Sequence, residues 1–154
     1  MFRKLLVPMA LVLLVFVMGT AWGDEAATLK SLLVQADIKF LEGSDGQFLA
    51  PWQGDEGDWD VVIVYDEDTG VIVTFAEVGE VDKDQLSGDL AIHLLEINAT
   101  MYPVKVAYLD GSLYAVSGVP GDKATPELVR YACEAVVAMA DAVKPDISPE
   151  GPSE

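Results

Sequence analysis

The chain has one histidine, His93, and two carboxylic acids stand close to it in the sequence. Asp89 precedes it by four residues and Glu96 follows it by three, so these side chains could pair on one face of a helix. Catalysis by a nucleophile and a base would also require a Ser or Cys nearby and an oxyanion site. The sequence has no GxSxG motif, and the only cysteine, Cys133, lies like His93 in the middle of a predicted helix. We therefore interpret His93 as a structural or surface residue.

Two acidic segments resemble a calcium-binding loop in composition. The first, residues 66–70, places carboxylates two residues apart, and Glu77 is the twelfth residue counted from Asp66. A helix–loop–helix calcium site has glycine at position six, whereas Gly70 is at position five and strands are predicted on both sides. Solvated acidic turns are the favoured interpretation, and a calcium-stabilised module is an alternative. The second segment contributes four more acids: Asp55, Glu56, Asp58 and Asp60.

Acidic residues dominate the composition, with 26 Asp and Glu against 9 Lys and Arg in 154 residues. This balance excludes a nonspecific nucleic-acid binder and argues against docking on anionic lipid, because both need a basic face. The single cysteine excludes an internal disulfide, and with a single histidine it excludes the common structural zinc sites. No acid spacing selects a catalytic pair, so an envelope enzyme with a carboxylate site is only an alternative. We predict a protein without catalytic residues, metal or cofactor.

Residues 1–23 have the three parts of a secretory signal. Arg3 and Lys4 form a basic start, residues 5–18 are an uncharged apolar run, and small residues at positions 21 and 23 suit a cut after Gly23. The run of about 14 residues is shorter than the roughly 20 that a membrane-spanning helix needs. We expect a periplasmic or secreted protein, with an uncleaved anchor as the alternative. In that location Cys133 is either a buried apolar residue, our preferred interpretation, or part of an intermolecular disulfide.

The mature chain reads as one α+β domain over residues 24–144, followed by a polar, disordered tail over 145–154. Apolar residues at helical spacing predict a first helix over 25–38. Strand and turn signals, caps and periodicity then predict the remaining elements in order. These are strands at 47–52, 59–65 and 71–78, a helix at 83–99, strands at 104–109 and 112–118, and a helix from 125 to about 143, with a further strand that could begin within 38–41.

The second helix has a clear start and a clear buried face. Asp82 is a suitable N-cap, with Gln85 three residues later as in a capping box. Pro103 stops the helix. Asp110 and Gly111 then form a two-residue hairpin turn between the next two strands. The apolar stripe that we expect this helix to bury comprises Leu86, Leu90, Leu94, Ile97 and Met101.

The predicted hairpin of residues 59–65 and 71–78 is apolar on both faces. Val61 and Ile63 point one way, and Val62 and Val64 point the other. A strand with one face in water would alternate apolar with polar residues. The sheet is therefore predicted to be covered on both sides, or covered on one side while the other meets a partner.

The third helix is apolar almost all round, and only Arg130, Glu134 and Asp141 interrupt it. A helix of this kind is buried on more than one side, which in a small domain indicates a dimer interface or a partner groove. The alternative is that alanines are present as good helix formers. The residues predicted to form the dimer or partner face are Val129, Cys133, Val137 and Ala140.

Three segments carry a resemblance to a known family. The second helix ends in Leu94-Leu95-Glu96-Ile97-Asn98, a pattern of two leucines followed by asparagine. A strand, the Asp110-Gly111 turn and a second strand follow, and Thr125-Pro126-Glu127-Leu128 opens the last helix. With this order and spacing, α-β-β-β-α-β-β-α, residues 25–144 resemble the YbjN-domain family, which shares its fold with the class I type III secretion chaperones.

The resemblance implies an antiparallel sheet packed against helices, often in a homodimer, and no catalytic residue or cofactor. The secretion chaperones hold an extended client segment on apolar patches, and regulatory or chaperone-like roles are suggested for the YbjN branch. This chain departs from them in its export signal. We expect a non-enzymatic, chaperone-like or regulatory domain outside the cytoplasm that forms a homodimer, as the resemblance implies, and binds a protein partner through apolar surface.

Overall fold

A computed structural model describes residues 23–86 and 88–147 of the chain. The predicted signal segment before Gly23 and residues 148–154 of the predicted tail lie outside the described residues. Within the described ranges, no helix combines the length and the apolar character needed to cross a membrane.

The predicted α+β class is confirmed, with a single six-stranded antiparallel sheet in the order β1-β2-β3-β4-β6-β5. The predicted element order is closely matched, and the structure adds a two-residue first strand and one turn of 3-10 helix. In chain order the elements are α1 (Gly23–Gln35), β1 (Leu41–Glu42), β2 (Phe48–Gln53), β3 (Asp58–Asp66), β4 (Val71–Glu80), α2 (Gly88–Thr100), β5 (Lys105–Leu109), β6 (Ser112–Pro120), the 3-10 turn Gly121–Lys123 and α3 (Pro126–Ile147).

The second helix begins later than the sequence indicates. The Asp82 N–H donates to Oε1 of Gln85 at 3.0 Å, as in a capping box. The N–H groups of Gln85 and Leu86 both donate back to the Asp82 carbonyl. This segment therefore closes into a separate turn, and the regular helix starts at Gly88 instead of Lys83.

The third helix continues through Pro145, where the sequence predicts its end. Proline has no N–H to donate to the carbonyl four residues earlier, so tertiary contacts must hold this last turn. The Lys144 ammonium donates to the Val78 carbonyl at 3.0 Å. Ile147 packs against the core, and a Cβ added to Gly79 would lie only 3.0 Å from its Cδ1. The end of α3 is thus fastened to β4, and residues 145–147 belong to the domain.

The core lies between one face of the sheet and the helices. Along β3, β4 and β6 alternate side chains such as Val61, Ile72 and Ala115 are buried and belong to a single apolar cluster. The helix α3 contacts β4 and β6 on one side and α1 on another. Its buried residues are Val129, Ala132, Cys133, Val136, Val137, Met139, Ala140 and Val143.

The four residues predicted as a dimer or partner face lie inside the domain. Val129, Cys133 and Ala140 are fully buried, and Val137 is 5% exposed. Because α3 packs against both the sheet and α1, contacts within one chain account for its apolar character. A partner could not reach these side chains unless the core opened, so the surfaces available for binding must be elsewhere.

We expect Val137→Asp to destabilise the domain, because it places an unpaired carboxylate in the core. The free energy of unfolding should fall by about 4 kcal/mol or more in urea titrations followed by circular dichroism. Ala138→Asp, at the exposed neighbouring position of α3, is the matched control and should change it by about 0.5 kcal/mol at most. A Val137→Asp chain of unchanged stability and halved mass in light scattering would contradict the burial and favour a dimer face there.

Candidate protein-binding surfaces

The residues with catalytic potential are held apart by the fold. Cys133 is buried, as predicted. Burial, reinforced by the Glu134 carboxylate, raises the pKa of its thiol to about 12 against a weaker opposing effect of Arg130. A thiol of this kind is not a nucleophile near neutral pH. His93 is half exposed, and its Nε2 lies 3.2 Å from a carboxylate oxygen of Asp146, so the histidine links α2 to the end of α3.

The acidic turn between β3 and β4 uses its first carboxylate to order its own backbone. Asp66 accepts hydrogen bonds from the Asp68 N–H at 3.1 Å and from the Thr69 hydroxyl at 2.6 Å. Gly70, with φ of 68°, closes the turn. In the part of the chain that the structure describes, no three acidic, histidine or cysteine side chains come together as a metal site would require.

A second carboxylate fastens the loop between β2 and β3 to α3. Asp141 accepts hydrogen bonds from the N–H groups of Asp55 and Glu56, at 2.8 and 3.0 Å, and from the indole N–H of Trp59 at 2.7 Å. Gly54 has to be glycine for this approach, because a Cβ there would lie 2.5 Å from the carboxylate. Desolvation alone would raise the pKa of Asp141, but the three donors together outweigh it and lower the pKa.

Asp141→Asn should weaken this attachment, because an amide accepts fewer and weaker hydrogen bonds than a carboxylate. We expect the free energy of unfolding at neutral pH to fall by about 1–2 kcal/mol, a modest value because the site is partly solvated. The pKa of Asp141 is lowered in the folded state. Its contribution to the free energy of unfolding is therefore fully present above the pKa of the unfolded state and is lost as the pH falls through the pKa of the folded state. As the pH is lowered in the acid range, the free energy of unfolding of the Asp141→Asn variant should therefore fall less steeply than that of the wild type.

Asp89→Asn, at an exposed position of α2, is the control for the removal of one negative charge. Urea denaturation of the three proteins at pH values between about 2 and 7 measures both effects. Equal acid sensitivity of Asp141→Asn and the wild type would show that Asp141 does not tie the loop to α3.

The face of the sheet away from the core carries a continuous apolar band, which we call the open face. Leu49, Val62, Phe75 and Val116 lie opposite one another on β2, β3, β4 and β6 and form one row. These four side chains are partly exposed, and none belongs to the core cluster that receives the helices. The neighbouring row and the ends of the band add Val71, Val73 and Pro120, together with Val64, which is only 5% exposed.

The open face resolves an alternative left by the sequence. The helices pack their apolar residues into the cluster on the core face, so the described elements cover the sheet on one side. Phe75 and Tyr114 meet edge to face, with ring centroids 6.3 Å apart, and so keep part of the band packed without a covering element. Within the described residues, the helices therefore cover the sheet on one side only.

Both edges of the sheet are protected against addition of another strand. On β5, Asn98 accepts from the Val106 N–H at 2.7 Å and donates to the Val106 carbonyl at 3.1 Å, in the manner of a neighbouring strand. On the opposite side β1 pairs only with the start of β2, and Pro51 follows on the uncovered part of that edge. Proline and occupied backbone groups are common protections of sheet edges. Addition of a further strand is therefore disfavoured at Val106 and at Pro51.

A second exposed apolar surface lies on α2 and just after it, and we call it the α2 stripe. Ile92, Leu95 and Tyr102 are 57%, 67% and 87% exposed, and Ala99 is exposed between them. The spacing of Ile92, Leu95 and Ala99 places these three along one side of α2, and Tyr102 lies just beyond the end of the helix. The residues of this helix that the sequence predicts to be buried, from Leu86 to Met101, pack towards the core. The sequence signal for the exposed surface is the presence of further apolar residues outside that buried set.

The chain belongs to the YbjN family, as the sequence resemblance indicated. The family model, described as "Putative bacterial sensory transduction regulator", matches residues 25–148. A comparison with curated protein sequences finds no match.

Solved structures with the same fold include YbjN from E. coli, which is 21% identical, with a TM-score of 0.56 over 76% of this chain and 89% of that one. A second is the Yersinia pestis type III secretion chaperone SycH in complex with a stable fragment of YscM2. It is 13% identical, with a TM-score of 0.53 over 77% of this chain and 98% of that one. A third is the heterodimeric ExoU–SpcU complex from the type III secretion system of Pseudomonas aeruginosa, at 20% identity, a TM-score of 0.58, and coverage of 77% and 97%. These likenesses confirm the predicted chaperone-like fold.

Proposed function

We propose that the chain is an exported, non-enzymatic domain that binds an apolar segment of a partner protein on the open face. The observation that carries this proposal is the apolar band across β2, β3, β4 and β6, which no helix of the core covers. Contiguous exposed apolar surface marks interaction sites in soluble proteins. Solved structures of the same fold include chains taken from complexes with protein partners, which supports a binding role.

The candidate catalytic residues support a binding role over an enzymatic one. Cys133 is buried with a raised pKa, and His93 pairs with Asp146 at the surface. The two therefore do not provide a nucleophile and a base at one accessible site. Binding energy for a partner would come from apolar area removed from water, at about 25 cal/mol per Å².

The binding proposal is tested by replacing two valines of the open face with threonine, which keeps the shape and the β propensity. We expect the mature wild-type chain to suppress aggregation of a reduced, unfolded model protein, and Val62→Thr with Val73→Thr to lose at least half of this suppression. The expected loss reflects the polar hydroxyl groups placed in the binding band. Light scattering of the client measures the effect.

Val34→Thr is the matched control, because Val34 is 62% exposed on α1, away from the open face. Thermal unfolding checks that the variants remain folded. A wild-type chain without suppression would refute the binding role. Equal suppression by the wild type and the double variant would exclude the open face as the binding surface.

We also propose that the chain self-associates through the α2 stripe. Ile92, Leu95 and Ala99 have the spacing by which one helix packs along another, and the exposed Tyr102 extends the apolar surface beyond the end of α2. Each mature copy would carry a net charge of −19, because removal of residues 1–23 takes away two basic groups and no acid from a chain of −17. Repulsion between copies should therefore make the dimer stronger in high salt than in low salt.

Native mass spectrometry of protein from the envelope fraction of its host tests export and self-association together. We expect a mass that begins at Asp24, since the predicted cut follows Gly23, and a dimer that Leu95→Glu converts to a monomer. Val34→Glu adds the same single negative charge at an exposed apolar position of α1 and is the control for added charge. A full-length mass beginning at Met1 would contradict cleavage, and a wild-type monomer at high salt would contradict self-association.

A further inference from the structure

Carboxylates stand at both ends of the apolar band. On β3, Asp60 precedes the two valines of the open face and Asp66 follows them, with side chains on the same face. Asp58 adds a further acid before Asp60, and on β4 Glu77 follows Phe75 on this face. The open face is thus apolar in the centre, with the exposed Asp58 and Asp60 carboxylates at one end and, at the other, the Asp66 carboxylate, which also accepts hydrogen bonds from its own turn.

Positive charge is scarce on this face. Among the described strand residues of the open face, Lys105 is the only cation, and its ammonium is hydrogen-bonded to the Asn98 carbonyl. Asp58 and Asp60 are exposed and form no ion pair within the ranges that the structure describes. The burial of Tyr114, followed by the nearby Glu77 carboxylate, raises the pKa of its hydroxyl, which agrees with an acidic local potential.

The dimensions of the band suit a helix laid across the strands. The four strands of the central row span about 14 Å, at roughly 4.8 Å between neighbours. Asp60 and Asp66 are six residues apart on β3, or about 20 Å along the strand. A helix with its side chains is about 10–12 Å wide, so long basic side chains on its two flanks would reach the carboxylates at both ends.

The sheet edges favour the same mode of docking. Asn98 occupies the backbone groups of Val106 on one edge, and Pro51 removes a donor from the other. Addition of an extended strand is therefore disfavoured, while an amphipathic helix brings its own backbone hydrogen bonds and needs only a complementary face.

We propose that the partner segment is a cationic amphipathic helix, whose apolar side lies on the open face and whose Lys or Arg residues pair with the acids at the two ends of the band. This proposal rests on the proposed function and names the chemical class of the partner. It predicts that affinity depends on both the apolar side and the positive charge of the segment, and that high salt weakens binding.

The test compares four synthetic peptides of about 18 residues, each about 27 Å long as a helix. Three have an apolar leucine side and a polar side of Lys, Gln or Glu, and the fourth is a scrambled Leu/Lys peptide without an apolar side. Binding to the mature wild-type chain is measured by fluorescence anisotropy at about 50 and about 500 mM salt. We expect the amphipathic Leu/Lys peptide to bind at least about tenfold more tightly than each of the others in low salt, with this advantage reduced in high salt.

Two charge variants separate the open face from the general acidity of the protein. Asp58→Asn with Asp60→Asn should weaken binding of the Leu/Lys peptide about threefold or more in low salt. Asp37→Asn with Asp89→Asn removes the same charge from exposed positions beside the helices and should leave binding within about twofold. Equal weakening by the two pairs would show nonspecific attraction and would overturn the proposal.

The outcomes also separate this proposal from the binding role itself. If the Leu/Gln peptide binds as tightly as the Leu/Lys peptide and Val62→Thr with Val73→Thr weakens both, the open face binds apolar segments but not cationic ones in particular. If no peptide binds and the unfolded client is still held, the cationic helix is the wrong partner. If neither peptide nor client binds, the proposed function itself fails.

Discussion

Burial of α3 on two sides is the constraint on which the rest of the structure depends. Its apolar residues pack against β4 and β6 and against α1. Polar residues near its end then position the surrounding elements. Asp141 binds the loop before β3, Lys144 binds β4, and Asp146 meets His93 on α2. Because one helix provides all of these contacts, the helical layer forms on a single face of the sheet.

This one-sided arrangement makes the two faces of the sheet different in kind. The core face is closed by side chains from the helices, while the open face keeps an apolar row that includes Val62 and Phe75. Asn98 and Pro51 protect the edges, the open face presents a row of partly exposed apolar side chains, and the α2 stripe presents more fully exposed ones. Function in such a domain depends on the shape and charge of surfaces, and the buried Cys133 and paired His93 agree with that view.

Local sequence patterns predicted most of the elements because their signals are short-range. The Asp110-Gly111 turn specifies its hairpin, and the richness in β-branched and aromatic residues specifies β3 and β4. The errors arose where a distant contact overrides a local preference. Pro145 predicts a helix end, but contacts of Lys144 and Ile147 with β4 hold another turn, and the turn at Asp82 closes without continuing into α2.

The sequence by itself determined the α+β class, the family and the presence of apolar residues on more than one face of the third helix and of the hairpin at 59–78. Only the tertiary structure decided where that surface lies. Periodicity shows that a face is apolar, but what covers it depends on which elements pack together, and that is a long-range property. Val129, Cys133, Val137 and Ala140 are therefore covered by their own chain, whereas Val62 and Val73 of the open face, equally apolar in sequence, remain partly exposed.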